Sequence, residues 1–69
     1  MNIDAKRGTR VKCDNLDVDV AQWGNNDYPA GILEIGKTYT VDHTEIHSQH
    51  TKVVLQEFPD KKFNTAHFE

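Results

Sequence analysis

The chain has 69 residues, a net charge of −3, 36% hydrophobic residues and a single cysteine. A domain this small buries only about 60% of its unfolded surface, which leaves no surplus for a deep catalytic cavity. Lone Cys13 excludes an intramolecular disulfide, and no apolar run approaches the ~20 residues of a membrane-spanning helix.

The expectation is a non-enzymatic cytoplasmic protein with no membrane segment, no cofactor and no metal. Residues 1–7 read as a flexible arm, followed by one domain over 8–69. Lys6, Arg7, Arg10 and Lys12 stand against only Asp4 at the basic start of the chain. From Cys13 to Gly36 there is no Lys or Arg, while Asp14, Asp17, Asp19, Asp27 and Glu34 accumulate. Such a segment repels phosphate backbones and attracts a basic partner.

Val11 and Cys13 alternate with Arg10 and Lys12, the pattern of a half-buried strand that points Cys13 inward as a small hydrophobe. Asp14 to Gly31 is rich in Asp, Asn and Gly and reads as a long loop with an extended piece at Val18–Val20. Leu33 and Ile35 then share one face, Gly36-Lys37 turns the chain, and Thr38 to His43 forms a strand that Ile46 extends. Tyr39 and Val41 fall on its apolar side. His47-Ser48-Gln49-His50 reads as a hairpin turn, and Thr51–Phe58 as the next strand. Pro59-Asp60-Lys61-Lys62 reads as a second tight turn and Phe63-Asn64 as a short closing strand. Thr65 to Glu69 forms one helical turn capped by Thr65 and anchored by Phe68. Short strands with turns at this spacing predict a small all-β barrel or sandwich.

Gly31 to Thr38 matches the phosphate-loop pattern G-x-x-x-x-G-K-[ST] by letter. Its interior, Ile32-Leu33-Glu34-Ile35, is bulky and alternating, and Tyr39-Thr40-Val41 continues as strand, so strand–turn–strand is expected instead. His43, His47 and His50 cluster in sequence but lack the paired Cys or His spacing of a zinc site, and read as solvated hairpin residues. Asp17 and Asp19 lie two apart without a pocket for acid–base work.

The order Gly8-x-x-Val11-x-Cys13, Leu33-x-Ile35-Gly36-Lys37-x-Tyr39-Thr40-Val41, Val53-x-Leu55-x-Glu57 and Phe63-x-x-x-His67-Phe68-Glu69 resembles a set of small phage and bacterial proteins with SH3-like barrels. The resemblance implies an all-β, five-stranded barrel with a first strand at 9–13, a long RT-type loop at 14–32 and a diverging turn around Gly36. A short helical turn follows near the C-terminus. It also implies a phage-encoded modulator of a protein in the bacterial host.

The loop aromatics carry the functional expectation. Trp23 and Tyr28 sit among Asp17, Asp19 and Asp27, a composition suited to a protein partner with a basic segment. The alternative is that Trp23 folds back and closes one end of the barrel. Two further readings stay open: a nucleic-acid-binding barrel using Lys6, Arg7, Arg10, Lys12, Lys61 and Lys62, and a structural or oligomeric phage component.

Overall fold

The computed structural model describes residues 1–69. In chain order the elements are β1 (Arg10–Lys12), α1 (Val18–Gln22), β2 (Thr38–Ile46), β3 (Thr51–Leu55), β4 (Phe58–Asn64) and a terminal 3-10 turn at Thr65–His67. The strands pair antiparallel in the order β1-β2-β3-β4. No helix is long and apolar enough to cross a membrane.

The five-stranded SH3-like barrel is not formed; the sheet is open and has four strands. Two of the expected strands account for the difference. Leu33 to Ile35 is not a strand but joins two turns, the first closed by Pro29 O, which accepts both the Ile32 and Leu33 amides at 3.0 and 2.8 Å. Lys37 N–H then closes back on Glu34 O at 3.1 Å, with Gly36 at φ +87°. Leu33 reaches the core, whereas Ile35 is 64% exposed and contributes nothing to it.

Phe63-Asn64 is no separate strand but the end of β4, because the β3–β4 turn falls at Gln56-Glu57 rather than at Pro59. Gln56 N–H donates to Thr40 O at 2.8 Å, and both Glu57 carboxylate oxygens accept the Thr40 amide at 2.9 and 3.0 Å. Pro59 is tolerated because β4 is an edge strand, where a missing donor costs little. The chain end returns to β1 through one isolated bridge, Cys13 with Phe68, beside the Glu69 amide on Lys12 O.

The expected extended piece at Val18–Val20 is also corrected: it is the first part of α1. Asp17 caps the helix by accepting the Asp19 amide at 2.9 Å, and Asn15 Oδ1 accepts the Asp17 amide at 3.2 Å. Local side-chain capping and burial of Ala21 outweigh the strand preference of two valines.

Val11, Cys13, Leu33, Tyr39, Val41, Val53, Leu55, Phe63 and Phe68 form one core cluster. The β2–β3 register shifts between Val41 and His43, so Asp42 is a bulge and the alternation of β2 reverses past it. Tyr39 and Val41 therefore point inward, while His43 and Glu45 point out. Thr38 starts a strand rather than a helix, so Gly31 to Thr38 lacks the helix N-terminus a phosphate loop requires. Residues 1–7 lie against the body: the Met1 ammonium donates to Phe68 O at 2.9 Å and Thr44 Oγ1 to Ile3 O at 2.8 Å.

The C-terminal turn is present, capped by Asn64 rather than Thr65, with Phe68 buried as its anchor. His67 is fully buried inside it, its Nδ1 paired with Asn15 Oδ1 at 3.1 Å and its Nε2 without a partner.

Candidate functional site

α1, the β2–β3 turn and the end of β4 enclose one surface groove of about 470 Å³. Asp19, Val20 and Trp23 form one wall, Gln49, His50 and Thr51 the opposite wall, and Asn64, Thr65 and Ala66 the floor. Asn64 fixes this geometry: its Nδ2 donates to Val20 O at 3.1 Å while its Oδ1 accepts the Ala66 amide at 2.9 Å.

Trp23 stands at the C-cap of α1, four residues after Asp19, and both side chains line the groove. Its Nε1–H donates to Gln49 O at 3.1 Å, and the residue remains 58% exposed. Trp23 therefore does not close the core. Asn26 holds the C-cap by donating its Nδ2 to Trp23 O at 2.6 Å.

The chain leaves α1 through Gly24 at φ +87° and Asn25 at φ 58°. Gly24 is needed for a second reason: a Cβ there would lie 2.5–2.8 Å from the His50 ring. That ring is also stacked on His47, with centroids 4.7 Å apart and planes 14° apart. The His47 amide donates to His50 O at 2.9 Å and closes the turn that carries both. His50 Nε2 is buried with no hydrogen-bond partner. Burial, and after it the neighbouring His47 and Lys52, hold the His50 ring below its ordinary titration range.

The five residues read from the loop separate into two groups. Asp19 and Trp23 come together in the groove, and Tyr28 is half exposed outside it, its hydroxyl accepting from the Gln22 side-chain Nε2 at 3.3 Å. Asp17 is the helix cap. Asp27 pins the loop to β4 through a reciprocal pair, its amide donating to Lys62 O at 2.9 Å and its Oδ2 accepting the Lys62 amide at 2.8 Å.

The opposite wall escaped the sequence reading. Nothing in His47 to Thr51 beyond its turn character marks it as facing α1, and the contact spans a long loop. Gly24-Asn25 was the available signal, since a left-handed pair after a short helix announces a sharp return of the chain.

On the outer face of β2, Glu45 pairs with Lys62 Nζ at 2.8 Å and lies 3.6 Å from His43 Nε2 and 3.8 Å from His47 Nε2. Arg7 lies 3.5 Å from Asp42. Two cations of the candidate basic set are thus matched by acids of β2. No three His, Cys, Asp or Glu side chains are placed to hold a metal ion together. No protein-family model, curated protein or solved structure matches the chain.

Proposed function

We propose that this protein is a non-enzymatic interaction module whose groove between α1 and the β2–β3 turn takes an arginine side chain of a protein partner. The observation that carries this reading is the placement of Asp19 and Trp23 four residues apart on one wall of a groove of about 470 Å³. The indole N–H is committed to Gln49 O, and Trp23 is still 58% exposed, which leaves ring surface for a cation to stack on. A guanidinium stacks on such a surface and directs its N–H groups in-plane toward a neighbouring carboxylate. Asp19 is the only formally charged residue in the lining when His50 is neutral, so a cation entering meets no like charge there. Exposed Val18, at the start of α1, and Tyr28, beyond its end, extend the contact surface.

The magnitudes set the expected affinity. An exposed cation–π contact contributes about 0.5–1 kcal/mol and an exposed ion pair roughly 0.2–1 kcal/mol. Together these give roughly 0.7–2 kcal/mol, so a single arginine binds only at tens to hundreds of millimolar, and the rest of the partner supplies the remainder.

The test is a Trp23 fluorescence titration with a capped Gly/Ser peptide carrying one arginine, against the same peptide carrying citrulline, which keeps the shape without the charge. The arginine peptide is expected to bind several-fold more tightly, and Asp19→Asn to reduce the difference to the part the Trp23 ring supplies. Equal responses to the two peptides would refute the reading.

A further inference from the structure

The β2–β3 turn is held against α1 by two contacts: the Trp23 indole on Gln49 O, and the His50 ring against Gly24. The first is a neutral hydrogen bond that tolerates a wide pH range. The second depends on the charge of the imidazole. A protonated ring carries a hydrogen on both nitrogens, so Nε2–H would be buried against the Gly24 backbone with no acceptor. Its stacking partner, His47, is itself titratable at 4.7 Å, and Lys52 adds a fixed positive charge from β3.

The groups that oppose this are few. Asp19 shares the groove and Glu45 lies 3.8 Å from His47 Nε2, yet neither reaches His50 Nε2, which has no partner. Glu45 is already paired with Lys62 at 2.8 Å. Gly24 and Trp23 from the α1 side, and Thr65 and Ala66 from the floor, bring no charge. A cationic ring whose Nε2–H is shielded from water without an acceptor is relieved by swinging out, and a short turn between two strands opens at lower cost than the paired sheet.

We infer that His50 is a pH-sensitive latch on the groove: protonation releases the β2–β3 turn from α1, breaks the Trp23–Gln49 contact and removes the wall that the partner's side chain packs against. The latch itself is a property of the free protein. Its consequence for binding rests on the reading of the groove as the arginine site.

The two are separable in one set of measurements. Trp23 is the only tryptophan, so its indole N–H gives a single NMR signal that reports the Gln49 contact without any ligand. As pH falls below the ordinary histidine value of 6.5, that signal is expected to move with the same midpoint as the His50 ring. His47→Gln removes the stacked like charge and is expected to raise that midpoint. His50→Phe keeps a flat ring against Gly24 and is expected to leave the signal unchanged with pH. Affinity for the arginine peptide is expected to fall on the order of tenfold across the same range in the wild type only. His50 titrating while the indole signal stays fixed would overturn the latch, as would an identical pH response in His50→Phe. If the indole responds as expected but the arginine peptide binds at no pH, the latch stands and the groove assignment fails.

Discussion

Trp23 donates its indole N–H to the carbonyl of Gln49 at 3.1 Å, across 26 residues of chain. This bond holds the ring at its Nε1 while the residue stays 58% exposed, so ring surface remains for the proposed cation contact. Trp23→Phe keeps a ring and deletes the bond. It is expected to lower stability by about 0.5–1.5 kcal/mol, read as a shift in denaturant midpoint at constant slope. Retention of full stability would mean that the turn is held to α1 by His50 alone.

Gly24 and Gly8 provide an internal comparison, since both have positive φ but only Gly24 faces a side chain. Alanine at Gly8 meets nothing within 4 Å and costs the left-handed backbone alone, roughly 1–2 kcal/mol. Alanine at Gly24 adds a contact of 2.5–2.8 Å with the His50 ring, which must swing out. Gly24→Ala is therefore expected to be the more destabilising of the two by thermal melts, and to shift the Trp23 emission where Gly8→Ala does not.

Asp27 was legible as an acid beside aromatics, yet its carboxylate is committed to the Lys62 amide at 2.8 Å. Asp27→Ala is expected to cost about 1–2 kcal/mol of stability, as loss of a charge-assisted backbone bond on a partly exposed residue, while leaving arginine-peptide affinity unchanged. Asp19→Asn is expected to do the reverse. Loss of peptide binding in folded Asp27→Ala would show that the sites are misassigned.

Acid sensitivity follows from His67. Burial, only partly opposed by Asn15 and Asp17, holds its folded titration below the ordinary value of 6.5. The unfolded chain therefore takes up the proton first, and the contribution of the neutral ring is complete above pH 6.5 and lost as pH falls through and below it. Asp42 is held low first by its bond to His43, and Glu45 first by Lys62. For Glu57 burial raises the carboxyl, but the Thr40 amide and the nearby charge of Arg10 outweigh it. These carboxylates stabilise above their ordinary values and lose that contribution at still lower pH. The melting temperature is expected to be level above neutrality and to decline in two stages. His67→Gln, if folded, should shrink the first stage to the part His50 contributes and leave the second; an unchanged first stage would exclude His67 as a source.

Much of the sheet was readable because it rests on local alternation. Tyr39 and Val41 on β2, Val53 and Leu55 on β3, and the turn at His47 to His50 follow from a period of two and a run of polar residues. The strand count was not readable, because it was decided by tertiary hydrogen bonds. Glu57 and Gln56 reach across to Thr40 and Val41 and draw the turn three residues ahead of Pro59. Asp17 as a helix cap was present in the sequence, but Val18 and Val20 masked it. Half of the groove was visible as Asp19 and Trp23; His50 was visible only as one of several histidines, since its place against Gly24 depends on where the long loop ends.

The most direct test is to map the arginine peptide onto the amide spectrum of the ¹⁵N-labelled protein. The indole signal of Trp23 and the backbone amides of Asp19, Thr51 and Thr65 are expected to shift together along one binding curve. Shifts gathered instead on the outer face around His43, Glu45 and Lys62, with the indole signal unmoved, would contradict the assignment of the groove.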